Sequence, residues 1–486
     1  MGASIKKITG FFYPILLLIL LFLSLISISK NLFVPYLWFD EAGQFFISKG
    51  LNHYSNPLSV ENGIIQVIEN NKLYNLDPGG FGILLHFWSG LSNNHIWLRL
   101  LPFIFFIGIV TSFIYLSYKW LKNINVAMFM GFIPILIPWV MSMGFEIRAY
   151  SMESLGTIIC IIGLIKMKND LSYKNLFLWT CVFSFFMTSR YSEVIVVFVT
   201  SIYVLFLIFK TNSTPKQKFF SIITYSIPLL ATIIYIYFFA ILYQNPNIKT
   251  ISYLPYLSND IKILVQPFNL LFLGVLFLLI ISYLLKNRYT VVKKYEILLS
   301  VTIITNILFI ILSFLGKHPW TVYSTRCISP FLLVMLCLSA FAGEYLKFLF
   351  TKKTFLINYI NVSFLIFVPI TIYFLYLSKE PLYTRYYNQN NPYVDIKKID
   401  LINYNHIYVD WWESTSIRYL FEYGELKTKA KNIYPEKFTL EKYGSEQPKM
   451  NNLLDYDLII TSNLFQLGFN DKWKLIEDAT FLYIQK

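Results

Sequence analysis

Three clusters of ionisable residues interrupt an otherwise apolar chain, and each has a chemistry open to it. The first is Trp38-Phe39-Asp40-Glu41-Ala42. Sugar transfer needs a carboxylate to take a proton from an acceptor hydroxyl as that hydroxyl attacks an anomeric carbon. Asp40 can do this, while Glu41 can position Asp40 or hold a divalent cation. The same two acids suit the first turn of a short helix through Ala42–Ser48, where they would meet the positive end of its dipole. The second cluster is Phe145-Glu146-Ile147-Arg148-Ala149-Tyr150. Two residues apart on a helix, Glu146 and Arg148 would not face each other; in a turn both can point into one cavity. The planar fork of Arg148 fits a lipid phosphate. An interfacial charge pair, with Tyr150 in the aromatic belt, is the other reading. The third cluster runs from Lys317-His318-Pro319-Trp320 to Arg326-Cys327-Ile328-Ser329-Pro330. A phosphate or diphosphate ligand would explain these cations, and so would snorkelling of long side chains to headgroups. Arg190 and Tyr191 form a smaller version of the same arrangement. His53, His86 and His95 share one stretch but lack metal-ligand spacing.

The elements that hold these residues must be mostly lipid-embedded. Of the 486 residues 56% are hydrophobic and only 14% charged, against about a quarter charged in a typical soluble domain. The net charge of +14 raises nucleic acid as a partner. Its distribution argues against that. The tail from Lys379 to Lys486 holds 14 basic and 15 acidic residues, so the other 27 basic and 12 acidic residues, a net +15, lie in the hydrophobic part. Cations flanking membrane helices account for the excess. The four cysteines, Cys160, Cys181, Cys327 and Cys337, fall in or beside apolar spans without metal-site spacing and read as packing residues.

A spanning helix needs roughly 20 mostly apolar residues. Such segments are Phe11–Ile28, Ile96–Tyr118, Val126–Met143, Tyr150–Met167, Leu176–Thr188, Val194–Phe209, Phe219–Tyr243, Leu264–Leu285, Ile297–Leu315, Ile328–Leu346 and Phe355–Leu377. The expected architecture is an all-α polytopic membrane protein of about eleven transmembrane helices. Lys6 and Lys7 precede the first segment, but no small-x-small cleavage site follows, so it reads as an anchor. With a cytoplasmic N-terminus, eleven spans put Lys119 and Lys122, Lys166 to Lys174, Lys210 to Lys218, Lys286 to Lys294 and Lys347 to Lys353 inside, as cation-rich cytoplasmic loops require. Deleting the short fifth span would put the later clusters outside. The transmembrane part is therefore expected over 1–378, with a long outer loop 29–95, in the plasma (inner) membrane. An extracytoplasmic domain follows over 379–486. In the loop, Gly79–Ser89 is too short to span and reads as a re-entrant or interfacial helix. The tail reads as a small α/β domain, with strands at His406–Trp411 and Asp457–Thr461, a helix at Ser414–Tyr423 and a hairpin from Lys474–Glu477 and Phe481–Gln485. No internal repeat is visible. The three clusters fall at the expected outer face together with Asp77, Glu153, Arg190 and Glu193.

Taken in order, several segments resemble a known family. The first helix is followed by the Asp40-Glu41 pair at the start of a long loop. Next come Pro78-Gly79-Gly80-Phe81-Gly82-Ile83-Leu84-Leu85, then Trp97-Leu98-Arg99-Leu100, then Glu146-Ile147-Arg148-Ala149-Tyr150, and late in the chain Arg326 to Pro330. Over roughly residues 1–350 the chain resembles the polyprenyl-phosphate-sugar-dependent glycosyltransferases of the GT-C fold. The likeness is greatest to bacterial members related to protein O-mannosyltransferases and to the aminoarabinose transferase of lipid A. The resemblance implies Asp40 as catalytic base with Glu41 beside it, and Arg148 and Arg326 facing the donor phosphate. It also implies a cavity wall formed by Gly79–Ser89, an inverting reaction, and often a divalent cation such as Mg, Mn or Zn. The expected substrate-binding set is Glu146, Arg148, Tyr150, Arg190, Lys317, His318 and Arg326. The expected partners are a polyprenyl-phosphate-linked sugar, a lipid, glycan or protein acceptor, and membrane lipids, with no nucleic acid. Relatives often carry consecutive prolines where this chain has Pro78-Gly79-Gly80. Two other classes remain open. In an O-antigen polymerase or ligase the key groups are arginines of late outer loops, so the early acidic pair argues against it. A non-enzymatic lipid or sugar transporter would be expected to show internal repeats and interrupted helices at the membrane midplane.

Overall fold

The computed structural model describes residues 2–52, 59–75, 77–242, 267–315, 328–351, 396, 400, 403–409, 411–424, 457–460, 473–475 and 482–485. The expected span Phe355–Leu377 lies outside them, as do Lys317, His318 and Arg326. The helices run α1 Gly2–Ser29, α2 Phe39–Ser48, α3 Ile64–Tyr74, α4 Gly80–Ser89, α5 His95–Leu121, α6 Ile124–Met130, α7 Ile133–Leu136, α8 Pro138–Met143, α9 Tyr150–Asn169, α10 Tyr173–Met187, α11 Tyr191–Lys210 and α12 Pro215–Ile236. After a π-turn at Tyr237–Ile241 come α13 Pro267–Leu284, α14 Thr290–Lys294, α15 Glu296–Phe314, α16 Ile328–Thr351 and α17 Trp411–Glu422. Among the described residues seven helices are long and apolar enough to cross a membrane, and Ile124–Leu136 and Leu270–Leu284 are shorter apolar helices. The chain is a helical, membrane-embedded protein.

Caps in the sequence start several of these helices. The Asn94 side chain accepts from the Ile96 N–H at 2.8 Å to open α5, and Asn123 accepts from Asn125 and Val126 to open α6. Thr214 and Gln217 form a reciprocal capping box at α12, with Pro215 at its first position. The segment expected as one span over Val126–Met143 departs from the pattern. It breaks into α6, α7 and α8, because Pro134 and Pro138 lack the N–H that a continuous helix needs and Gly131 gives no side chain to hold one. The break is buried, with Met130, Phe132, Ile135, Val140 and Met143 all in the core.

Two apolar clusters organise the molecule. The larger joins the inward faces of α1, α5, α6, α9, α11, α15 and α16, while Leu18, Phe22, Ile233 and Phe277 face outward as lipid-facing residues do. The second lies at one end of the bundle. It packs Leu37, Phe45 and Phe46 around α2, Phe81 and Leu85 of α4, Leu98 of α5, and Ile147 and Met152 at the start of α9 against Ile407, Val409, Ile417, Leu420, Leu458 and Ile460 of the tail. The tail carries a four-stranded sheet, β1 Ile407–Val409, β2 Leu458–Ile460, β3 Trp473–Leu475 and β4 Leu482–Gln485, in the order β1-β2-β4-β3. β1 and β2 are parallel with Ile407 opposite Leu458; β4 is antiparallel to both β2 and β3. α17 bridges β1 and β2 in sequence and lies on α2, where Tyr419 and Tyr423 meet the Phe45 ring edge-on at 5.2 and 5.0 Å.

One contact sets where the long first loop meets the bundle. Gly79 takes a left-handed conformation (φ +94°), and the Gly80 N–H then donates to the Thr188 carbonyl at 3.0 Å. A Cβ on Gly80 would stand 2.8 Å from that same oxygen and overlap the Thr188 side chain. Gly80→Ala is therefore expected to lower stability by about 1–3 kcal/mol through overpacking. Gly274→Ala, where a Cβ would meet nothing within 4 Å, should leave stability intact. Thermal melts of the two purified variants in one detergent check the difference.

Candidate active site

The site is built in two layers, and the deeper one holds the carboxylate that opens α2. Glu41 is the third residue of that helix, and its Oε2 accepts from the Trp38 N–H at 3.2 Å, closing the first turn. The helix-capping reading of the acidic pair thus applies to Glu41, but the residue is fully buried instead of solvated. Arg99, also fully buried, donates from Nη1 to Oε1 at 2.7 Å and from Nη2 to Oε2 at 2.9 Å. The remaining donors of Arg99 reach the carbonyls of Phe145 (2.7 Å), Tyr36 (2.9 Å) and Val34 (3.4 Å). Oε1 of Glu41 also accepts from the Ile147 N–H at 2.9 Å. The pair therefore ties four segments together: the strand-like run after α1, α2, α5 and the turn before α9. Burial pushes the Glu41 carboxyl above the usual carboxylate range, and the Arg99 charge opposes that. Of the two roles open to Glu41 in the sequence, this geometry matches positioning.

The outer layer collects the other charges. Asp40, partly exposed on the first turn of α2, lies beside Arg148, whose Nη1 reaches the Asp40 backbone carbonyl at 3.4 Å. Arg148 sits in a tight turn, its N–H donating to the Glu146 carbonyl at 2.6 Å, and Glu146 is fully buried there. Asp77 faces both Arg148 (Nη2 to Oδ2, 4.0 Å) and Arg190 (Nε to Oδ1, 3.7 Å). Arg190 also approaches Glu153 Oε2 at 3.3 Å, while Glu153 Oε1 accepts from Ser192 and Ser329, each at 2.6 Å. The Tyr150 ring lies under both guanidinium groups, 4.5 Å from that of Arg190 and 5.8 Å from that of Arg148. Burial disfavours the Arg148 charge, but Tyr150, Asp40, Asp77 and Glu146 around it raise it above its ordinary value; for Arg190 burial is likewise outweighed, chiefly by Asp77 and Glu153.

The structure thus brings together Asp40, Glu41, Glu146, Arg148, Tyr150 and Arg190 from the sequence-derived set. Lys317, His318 and Arg326 lie outside the described residues, although Ser329, three residues beyond Arg326, already touches Glu153. Sequence reasoning placed Asp77 and Glu153 at the same face without assigning them partners, and gave no role to Arg99, Ser192 or Ser329. A signal for Arg99 existed: it is an arginine one turn inside a long apolar helix, where an unpaired charge is too costly to keep. Asp77 was marked only as a charge of the expected outer face, and the fold sets it between two arginines.

No three His, Cys, Asp or Glu among the described residues converge, Glu41 is taken up by Arg99 and two backbone N–H groups, and Asp77 faces two guanidinium groups. Cys160, Cys181 and Cys337 are free thiols. No family model matches this chain, and no curated protein matches it.

Because Arg99 and Glu41 are both fully buried, removing one partner strands the other. Arg99→Met is expected to cost about 3–5 kcal/mol. A melting-temperature comparison with wild type measures it, and an unchanged melting temperature would show that the pair is dispensable.

Proposed function

We propose that the chain is an inverting glycosyltransferase of the GT-C type, moving a sugar from a polyprenyl-phosphate donor to an acceptor hydroxyl on a lipid, glycan or protein. One observation carries the reading. Asp40, partly exposed, lies beside Arg148, which shares the Asp77 carboxylate and the Tyr150 ring with Arg190, at a single end of a helical membrane bundle. A general base and a pair of phosphate-binding cations are what such a transfer needs in one place.

In the proposed reaction Asp40 takes the proton of the acceptor hydroxyl. The hydroxyl oxygen forms a bond to the anomeric carbon from the side opposite the phosphate. The bond from that carbon to the phosphate oxygen breaks, and its electron pair leaves with the polyprenyl phosphate. Arg148 and Arg190 stabilise the negative charge gathering there. Glu41, held by Arg99, keeps the first turn of α2 in place so that Asp40 needs no reorganisation. An apolar cavity of about 220 Å³ between α10, α11 and α12 supports the reading, since it suits a hydrocarbon chain. Met187 and Val194, which line it, flank Arg190 in sequence. In the same proposal the chain crosses a bacterial inner membrane about eleven times. Its N-terminus is cytoplasmic, and the site and the C-terminal α/β domain lie outside. The pairing of Lys286 with Glu296 (2.7 Å) and of Lys294 with Glu344 (2.6 Å) at the other end fits a cation-rich cytoplasmic face.

The test is incubation of purified protein with a panel of polyprenyl-phosphate sugars, reading released polyprenyl phosphate. Asp40→Asn should lower the rate by about 10²–10⁴-fold with the fold intact, as loss of a general base does. Transfer by this variant at the wild-type rate would remove Asp40 from the mechanism.

A further inference from the structure

We propose that Asp77 is a displaceable internal counter-ion, competing with a phosphate anion for the guanidinium groups of Arg148 and Arg190. The inference rests on the reading of this pair as a phosphate-ester site, but not on sugar transfer.

The protein supplies its own standard for a committed ion pair. Between Arg99 and Glu41 the contacts are 2.7 and 2.9 Å and both partners are closed to solvent. Asp77 stands 4.0 Å from Arg148 and 3.7 Å from Arg190, outside hydrogen-bond range. Yet the three side chains are only 10–15% exposed, so water does not readily replace the missing bonds. Among the described residues Arg148 Nε, Arg190 Nε and Nη1, and Asp77 Oδ2 have no hydrogen-bond partner. Buried donors of this kind carry a desolvation cost that a better acceptor relieves. A tetrahedral phosphate, with several acceptor oxygens spread in space, can meet two guanidinium forks where a planar carboxylate reaches neither.

The surroundings make exchange feasible. Both arginines are held independently of Asp77, Arg148 by the Asp40 carbonyl, Arg190 by Glu153, and both by the Tyr150 ring. The Asp77 backbone is fixed as well: Asn71 Nδ2 donates to its carbonyl at 2.8 Å, and Tyr235 donates to the Pro78 carbonyl at 3.2 Å. Only the short Asp77 side chain must rotate. Without a ligand the carboxylate adds to Glu153, Glu146 and Asp40 in offsetting the charge of the two largely desolvated arginines. An arriving phosphate takes over that task.

The experiment titrates wild type, Asp77→Asn and Asp77→Glu in nanodiscs with inorganic phosphate and with dodecyl phosphate, followed by 31P NMR, with melting temperature as the check on folding. Removing the competitor should tighten phosphate binding about tenfold in Asp77→Asn. Asp77→Glu, which keeps the charge, should not show the gain. Adding Arg148→Gln and Arg190→Gln to Asp77→Asn should abolish it. A gain with both probes means the headgroup suffices; a gain with dodecyl phosphate alone means the anion is delivered on a lipid. Unchanged or weaker binding in Asp77→Asn overturns the proposal, and Asp77→Ser carries the same expectation if the asparagine variant does not fold. Absence of any transfer by the wild-type protein would sink the glycosyltransferase reading while leaving this result standing.

Discussion

The buried ion pair between Glu41 and Arg99 is the constraint on which the rest of the site depends. Every guanidinium N–H of Arg99 has an acceptor, two on Glu41 and three on backbone carbonyls of Val34, Tyr36 and Phe145. Glu41 in turn accepts from the N–H groups of Trp38 and Ile147. A charge pair in a dry interior is stabilising only when its donors and acceptors are met in this way. The consequence is positional. The pair welds the first turn of α2 to α5 and to the turn that carries Glu146 and Arg148, so Asp40 and Arg148 cannot drift apart.

Above this rigid layer lies a loose one. Asp77, Arg148, Arg190 and Glu153 face one another at 3.3–4.0 Å, with several donors unmet. Satisfied polar networks fix geometry, whereas unsatisfied ones at a surface are prepared to accept something else. The protein thus holds two kinds of arginine–carboxylate arrangement, one closed with every donor met and one open.

Apolar packing supplies the third requirement, a floor for both layers. The cluster around Phe45, Leu85, Leu98 and Ile147 continues into Ile407, Ile417, Leu420 and Leu458 of the tail. The tail is therefore joined to the helix that carries Asp40. Tyr419 donates to the Asn93 carbonyl and Tyr423 to Glu61, adding polar contacts at the rim of the same interface.

Much of the architecture was legible in the chain itself. Long apolar runs and their flanking cations marked the helices of the bundle, seven of which among the described residues are long and apolar enough to cross a membrane, because the bilayer leaves the backbone few other options. Alternation and turn residues marked the strands and helix of the tail. The break within Val126–Met143 was written in Gly131, Pro134 and Pro138, but the strong hydrophobicity of the segment masked it. Local pattern could also show that Asp40, Glu41, Arg148 and Arg190 are costly to keep. It could not assign their partners. Arg99 lies 58 residues from Glu41, and Ser329 lies 176 from Glu153. Which carboxylate an arginine meets across such distances depends on how helices pack, and only the folded chain decides that.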